Sequence, residues 1–413
     1  MNTLSAIKAK YSELADQQLD LDLTRGQPSN EQFDLSNGLL ECLDKNDYRD
    51  ATGLDCRNYP GPIDGLVEAR ELFAPVLDVR PELMIVANTS SLDLMSRVLN
   101  LFCLIGTADR TRAWFEDRPI KFIACCPGYD RHFSLCESLG IEIVPVPFPR
   151  DGEAMSEIEK TVKGDRSIKG MWIVPKYSNP GGETLTAEVV EALATMESAA
   201  KDFRIFADNA YAVHDLYEQQ ETLAPMMEIF ERHGSEDRLI MFGSTAKITF
   251  SAGGLSFMAA SERNKKFLLS LFSKQTISWN KLEQLRHVRF LQGYPGGING
   301  LMQQHAKLLR PKFQAVESIL SSQLDDSVAS WSRPLGGYFI SVNTRPGLAK
   351  SVVALASNIG VKLTPAGATY PKGRDPDDCN IRLAPTRPAL RDVEIATEVL
   401  AVCIRLASLN ASS

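Results

Sequence analysis

The sequence predicts an α/β protein with a mostly parallel central sheet flanked by helices, followed by a smaller α+β unit. Two observations carry this expectation. Between residues 84 and 260, strand-length apolar runs alternate with polar loops and helix-length segments, the pattern that crossover connections impose on a parallel sheet. From Lys281 the composition turns long-helical before short apolar runs return. A chain of 413 residues can bury more than one core. The expected division is an N-terminal segment, 1–45, folding back on a small C-terminal domain, 301–413, with a large domain, 46–300, between them.

Residues 3–19 place apolar side chains at helical spacing and read as an amphipathic helix. Leu21–Ser29 (LDLTRGQPS) is extended, because Gly26 and Pro28 interrupt any helix. After the loop NYPGP, a helix is expected from about Asp64, a good N-cap residue. Met84–Phe102 reads as a short strand, a Thr-Ser-Ser turn and a long helix. Lys121–Pro127, Ile141–Val146, Lys169–Pro175, Phe203–Ala207 and Leu239–Phe242 are strand-like. Helices are expected from the Pro127-Gly128-Tyr129 turn through Leu139 and over Thr186–Phe203. Lys281–Leu320 is helical with a break at Pro295-Gly296-Gly297. Leu335–Val342, residues 351–367 and Asn380–Leu383 make up the smaller unit.

Composition excludes several classes. A formal net charge of -7 and a pI near 5.5 leave no basic footprint for nucleic acid or anionic membrane. The longest candidate membrane span, Met95–Gly106, contains Arg97 and Asn100 and is too short for a bilayer. The first twenty residues lack the apolar stretch and cleavage site of a signal peptide, so a cytoplasmic protein is expected. The eight cysteines form no C-x-x-C pair and the five histidines no H-E-x-x-H, which argues for reduced thiols and no metal.

Lys247 stands out. It lies between the apolar runs Leu239–Phe242 and Leu255–Ala260, with no carboxylate within six residues on either side. Burying such an amine is costly unless its charge is neutralised. By itself it reads as a solvated turn lysine or as a reactive amine. Ser90 and Ser91 likewise read as a helix cap or as an anion site. Other strand-end loops, where ligands of such sheets collect, offer an aromatic ring (Tyr129), an amide (Asn179), and a carboxylate and phenol three residues apart (Asp208, Tyr211). One ligand would use them all: pyridoxal 5′-phosphate, a phosphorylated aromatic aldehyde with a ring nitrogen and a phenolic oxygen.

In this ordered set (Asn179-Pro180 with a following glycine, Asp208-x-x-Tyr211, Ser244-x-x-Lys247, then Arg382) the chain resembles the fold-type I PLP-dependent aminotransferases. Within them it is similar to the bacterial aspartate aminotransferase branch related to MocR aminotransferase-like domains. The similarity runs from LTRGQP to NIRLAP. It implies that Lys247 holds the cofactor as a Schiff base and then moves a proton between substrate Cα and cofactor C4′. Asp208 would hold the pyridine nitrogen protonated, Tyr211 and Asn179 would bond the phenolic oxygen, and Tyr129 would stack on the ring. Ser90, Ser91 and Ser244 would hold the phosphate, with Tyr59 reaching it from a neighbouring subunit of a homodimer. Arg382 and Asn179 would bind the substrate carboxylate, and Gly26 would let the backbone close over it. One departure is clear: the wider family carries an arginine seven or eight residues after the lysine, and Gly254 and Leu255 stand there.

The resemblance implies transamination between an amino acid and a 2-oxo acid, ping-pong through the pyridoxamine form. Aspartate or glutamate with 2-oxoglutarate or oxaloacetate is favoured. A dicarboxylate requires a second cation, with Arg25, Lys281 and Arg286 as candidates. Transamination of another amino acid, a PLP-dependent lyase and a non-catalytic PLP-sensing domain are the alternatives on the same scaffold.

Overall fold

The computed structural model describes residues 4–109 and 112–411. The chain begins with α1 (Leu4–Ala15), the two-residue strand β1 (Leu21–Asp22) and α2 (Asn30–Asp34). α1 stops short of residue 19, and Gln18 adopts φ 50° beyond its end. Residue 3 of the expected helix lies outside the described residues. Ser29 caps α2 in a reciprocal capping box with Gln32. The next helix, α3 (Val67–Leu77), starts later than expected, with Leu66 as its N-cap. Asp64 does not cap it. The Asp64 carboxylate pairs with Lys265 at 3.0 Å and Arg70 at 3.5 Å, and its carbonyl accepts the Val86 N–H.

The large sheet follows: β2 (Met84–Asn88), α4 (Ser91–Leu104), β3 (Lys121–Cys125), α5 (Asp130–Ser138), β4 (Glu142–Val146), α6 (Gly152–Gly164) and β5 (Ile168–Ile173). It continues with α7 (Ala187–Thr195), β6 (Arg204–Asp208), α8 (Met226–Arg232), β7 (Leu239–Ser244) and β8 (Leu255–Ala260). The seven strands are ordered β2-β8-β7-β6-β5-β3-β4. β3 to β7 are parallel, and β8 is antiparallel to both β7 and β2. The connection 245–254 carries no crossover helix, so β8 can only return antiparallel. β5 and β6 are buried along their whole length, which explains the apolar runs Met171–Ile173 and Ile205–Ala207 within them. α7 ends at Thr195, because Met196 is already non-helical at ψ 141°. α6 was not expected; its N-cap Asp151 accepts the Glu153 and Ala154 N–H groups.

The remainder comprises α9 (Glu262–Gln275), α10 (Lys281–Gly293), α11 (Gly297–Gln323), β9 (Ala329–Trp331), β10 (Ile340–Thr344), α12 (Ala349–Ile359), β11 (Val361–Lys362), β12 (Asn380–Leu383) and α13 (Leu390–Ala411). α10 and α11 are parted at the Pro-Gly-Gly break, where Gly296 has φ 77°. β9, β10 and β12 form a separate antiparallel sheet. Residue 300 lies in the first turns of α11. Leu301 and Met302 pack into the core beneath the large sheet, while Leu309, Phe313, Val316 and Leu320 join the C-terminal core. Ile7 and Leu14 of α1 are buried in that second core, and Leu21 pairs in parallel register with Val361. Among the described residues no helix is long and apolar enough to cross a membrane.

Candidate active site

The carboxyl ends of the parallel strands open onto a cavity of about 560 Å³. Ser91, Tyr129, Asn179, Asp208, Tyr211 and Lys247 line it from the large sheet. Arg25 and Gly26 line it from the N-terminal segment, and Phe339 and Arg382 from the C-terminal unit.

Asp208 ends β6 and is buried. Its Oδ2 lies 3.1 Å from His132 Nε2, while Oδ1 is buried with no hydrogen-bond partner. His132 is held flat against Trp172, 4.5 Å between ring centres and 10° between planes, and Tyr129 meets it edge-on at 5.0 Å. A buried carboxylate oxygen without a donor is costly in a finished core. In a cavity wall it is an acceptor awaiting one.

Lys247 follows β7, with Nζ 5.1 Å from the Tyr211 ring centre. Burial pushes its amine below the ordinary lysine pKa, and the Asp208 carboxylate opposes that shift. Lowering the pKa enlarges the neutral, nucleophilic fraction. Burial likewise raises the Tyr129 phenol to about 12 and carries Tyr211 well above its usual value, reinforced by the Asp208 charge. Both hydroxyls therefore remain protonated donors near neutral pH.

Arg382, on β12, reaches Asp130 Oδ1 at 3.1 Å and Asn179 Oδ1 at 3.4 Å through Nη1, and its guanidinium carbon lies 4.9 Å from the Phe339 ring centre. Its Nε is buried without a partner, leaving part of the fork open to a carboxylate. Gly26 passes so close to Phe339 that a Cβ there would lie 2.3 Å from the ring. Only glycine allows this approach.

Ser90 caps α4, its hydroxyl accepting the Asp93 N–H, while Ser91 faces the cavity. The Thr89 hydroxyl donates to the Gly254 carbonyl. A Cβ on Gly254 would sit 2.7 Å from Thr245 Oγ1 and 2.8 Å from the Phe250 carbonyl oxygen, and Leu255 is core. Neither position has room for the arginine found in the wider family.

Three expected cofactor contacts, Ser90, Ser244 and Tyr59, are not among the residues lining the cavity in this chain. Ser244 ends β7 opposite Ser256 and is not in the lining, and Tyr59 is 65% exposed on its loop. Two candidate distal cations are committed elsewhere. Lys281 donates its ammonium to the Asn58 and Pro60 carbonyls, and Arg286 pairs with Glu283 at 3.2 Å. His132, Arg131, Phe339 and Thr364 were not singled out from sequence. For His132 a signal existed, because it lies one helical turn after Tyr129 and shares its face. Arg131, Phe339 and Thr364 reach the cavity through tertiary packing alone.

A parallel sheet with a lysine and a buried carboxylate at its strand ends, faced by an arginine from the C-terminal sheet, defines the fold-type I aminotransferases, and comparison with known proteins agrees. The family model for aspartate amino-transferase matches residues 1–412, and the chain belongs to that family. An aspartate aminotransferase of Corynebacterium glutamicum is 41% identical over 403 residues, 97% of this chain and 93% of the relative. A crystal structure of an aspartate transaminase from that organism superposes with a TM-score of 0.96 at 41% identity, covering 99% of this chain and 96% of the other. The fold extends to LysN, an α-aminoadipate aminotransferase of Thermus thermophilus complexed with N-(5′-phosphopyridoxyl)-L-leucine, with TM-score 0.75 and 19% identity over 98% of this chain and 97% of that one. The protein is a transaminase, and aminotransferases of this family and fold are PLP-dependent.

Proposed function

We propose that the protein binds pyridoxal 5′-phosphate in this cavity and exchanges the amino group of aspartate or glutamate with 2-oxoglutarate or oxaloacetate. The observation that carries this reading is the buried, unpartnered Asp208 Oδ1 in the same cavity as an amine of lowered pKa. Those two groups fit the ring nitrogen and the aldehyde of one cofactor. When bound, the cofactor supplies an electron sink for the carbanion formed at substrate Cα.

The chain's own residues would do the rest. Asp208, braced by His132, keeps the ring nitrogen protonated. Tyr211 and Asn179 bond the phenolic oxygen, and Tyr129 covers a ring face. Ser91 and the α4 N-terminus that Ser90 caps would meet the phosphate, and the exposed Tyr59 supports a homodimer in which it reaches a partner's site. Lys247 would be the base that takes and holds the proton at substrate Cα. Arg382 grips the α-carboxylate, with Asn179 beside it. Residues 46–300 would form the cofactor-binding body, closed upon by 301–413 together with 1–45.

A dicarboxylate also needs a cation for its distal end. Arg25 and Arg131 line the cavity mouth, and neither forms an ion pair with a carboxylate among the described residues. They favour a substrate with a second negative charge. The test is a half-reaction panel on the holoenzyme, following loss of the bound cofactor's long-wavelength absorbance. Aspartate and glutamate should convert it fastest; alanine or phenylalanine reacting far better would refute the dicarboxylate assignment, and ammonia release without conversion would refute transamination.

A further inference from the structure

The main chain of Lys247 is anchored by groups outside the cavity lining. Its carbonyl oxygen lies 3.2 Å from His214 Nε2 and 3.4 Å from Tyr338 Oη. Tyr338 Oη is 2.9 Å from Gln32 Nε2, and the same nitrogen is 2.8 Å from His305 Nδ1. All four side chains are buried. They come from α2 (Gln32), the segment after β6 (His214), α11 (His305) and the approach to β10 (Tyr338).

Counting hydrogens orients this network. Gln32 Oε1 accepts the Ser29 N–H at 3.0 Å in the capping box of α2, which fixes the amide's rotation. The amide nitrogen then has two hydrogens and two acceptors within reach, His305 Nδ1 and Tyr338 Oη. Tyr338, having accepted, has its own hydrogen left for the Lys247 carbonyl. His305 must carry its lone pair on Nδ1. His214 must carry a hydrogen on Nε2, since a carbonyl can only accept. The series Ser29–Gln32–Tyr338–Lys247 thus has one direction, from the α2 cap to the Lys247 carbonyl, with His305 accepting a branch from Gln32 and His214 donating to that carbonyl separately.

We propose that Gln32 is a positioning residue for Lys247: by orienting Tyr338 it holds the lysine's carbonyl, and thereby ties the reactive amine's main chain to the N-terminal segment that carries Arg25 and Gly26. This rests on the reading of Lys247 as the cofactor-binding amine. Gln32 touches neither substrate nor cofactor. Its effect passes through Tyr338.

The test uses the holoenzyme with Gln32→Leu, Tyr338→Phe, the double variant and Ser29→Ala. A hydrogen bond of this kind is worth up to about tenfold in an equilibrium or rate. Each of the first two should lower kcat by about that factor with KM nearly unchanged, and should move the pH midpoint of the bound cofactor's absorbance. The double variant should be no worse than the poorer single one, because both break the same chain. Ser29→Ala removes the cap hydroxyl but keeps the N–H that orients Gln32. It should lower the denaturation midpoint while leaving kcat and the spectral midpoint at wild-type values. The proposal is overturned if the Gln32 and Tyr338 effects multiply, if Ser29→Ala reproduces them, or if they alter stability alone. Tyr338→Phe, which loses a single oxygen, decides the matter if Gln32→Leu does not fold. Absence of a lysine-dependent cofactor band in the wild type would instead overturn the underlying reading of Lys247.

Discussion

Lowering the pH from 7 to 5 should destabilise the protein through His214 and His305. Burial, together with the charge of Lys247 and the proximity of His305, holds His214 at about 3, and burial holds His305 at about 4, against an ordinary value of 6.5. Both rings are therefore neutral in the folded chain throughout this interval, whereas the unfolded chain takes up two protons near pH 6.5. Each folded pKa is depressed, so the stabilisation is complete above about pH 6.5. It is lost as pH falls, until the folded values near 4 and 3 are reached. Between pH 7 and 5 the loss is about 2 kcal/mol per histidine, or about 4 kcal/mol for the pair. Carboxylates held low, such as Asp165 at about 2, do not titrate in that window. Urea denaturation of the holoenzyme at fixed protein concentration gives the difference. His305→Gln should abolish about half of the pH slope. A wild-type midpoint that is flat across the interval, or a slope unchanged by the substitution, would refute the assignment of neutral buried imidazoles.

Two further outcomes follow from the cavity. Lys247→Ala should remove the long-wavelength absorbance of the bound cofactor and reduce turnover by more than about 10³-fold, read by absorbance and a coupled assay. Gly26→Ala, whose Cβ would lie 2.3 Å from the Phe339 ring, should push the N-terminal segment off the cavity. A cost of about 1–3 kcal/mol is expected, appearing mainly as a raised amino-acid KM.

Part of the site is legible in the sequence because Asp208 ends a parallel strand and Asn179 and Lys247 lie on the loops that follow two others. An apolar run followed by a polar residue marks where a parallel strand ends, and that alone predicts the convergence of Asn179, Asp208 and Lys247. Arg382 required the resemblance, since it sits on β12 of a different sheet. Arg131 is not legible, because one turn of α5 carries it beside His132 and only packing shows that the imidazole is the side chain that turns toward Asp208. Lys281 illustrates the opposite error. A lysine after Trp279 reads as able to reach a substrate, but its side chain is buried and its ammonium is taken by the Asn58 and Pro60 carbonyls of the NYPGP loop. Helix ends were misjudged at Asp64 and beyond Thr195 for a related reason: a cap residue or an apolar continuation is a local signal, and tertiary partners overrode both.

α11 bears on how the chain can be divided. Because its first turns fill one core and its later turns another, a cut at residue 300 would strip Leu301 and Met302 from beneath the large sheet. The C-terminal piece alone would also lack α1, whose Ile7 and Leu14 complete its interior, and β1, whose backbone pairs with β11. The first and last segments of the polypeptide thus seal the same interior. A ribosome must therefore make α13 before that interior can close.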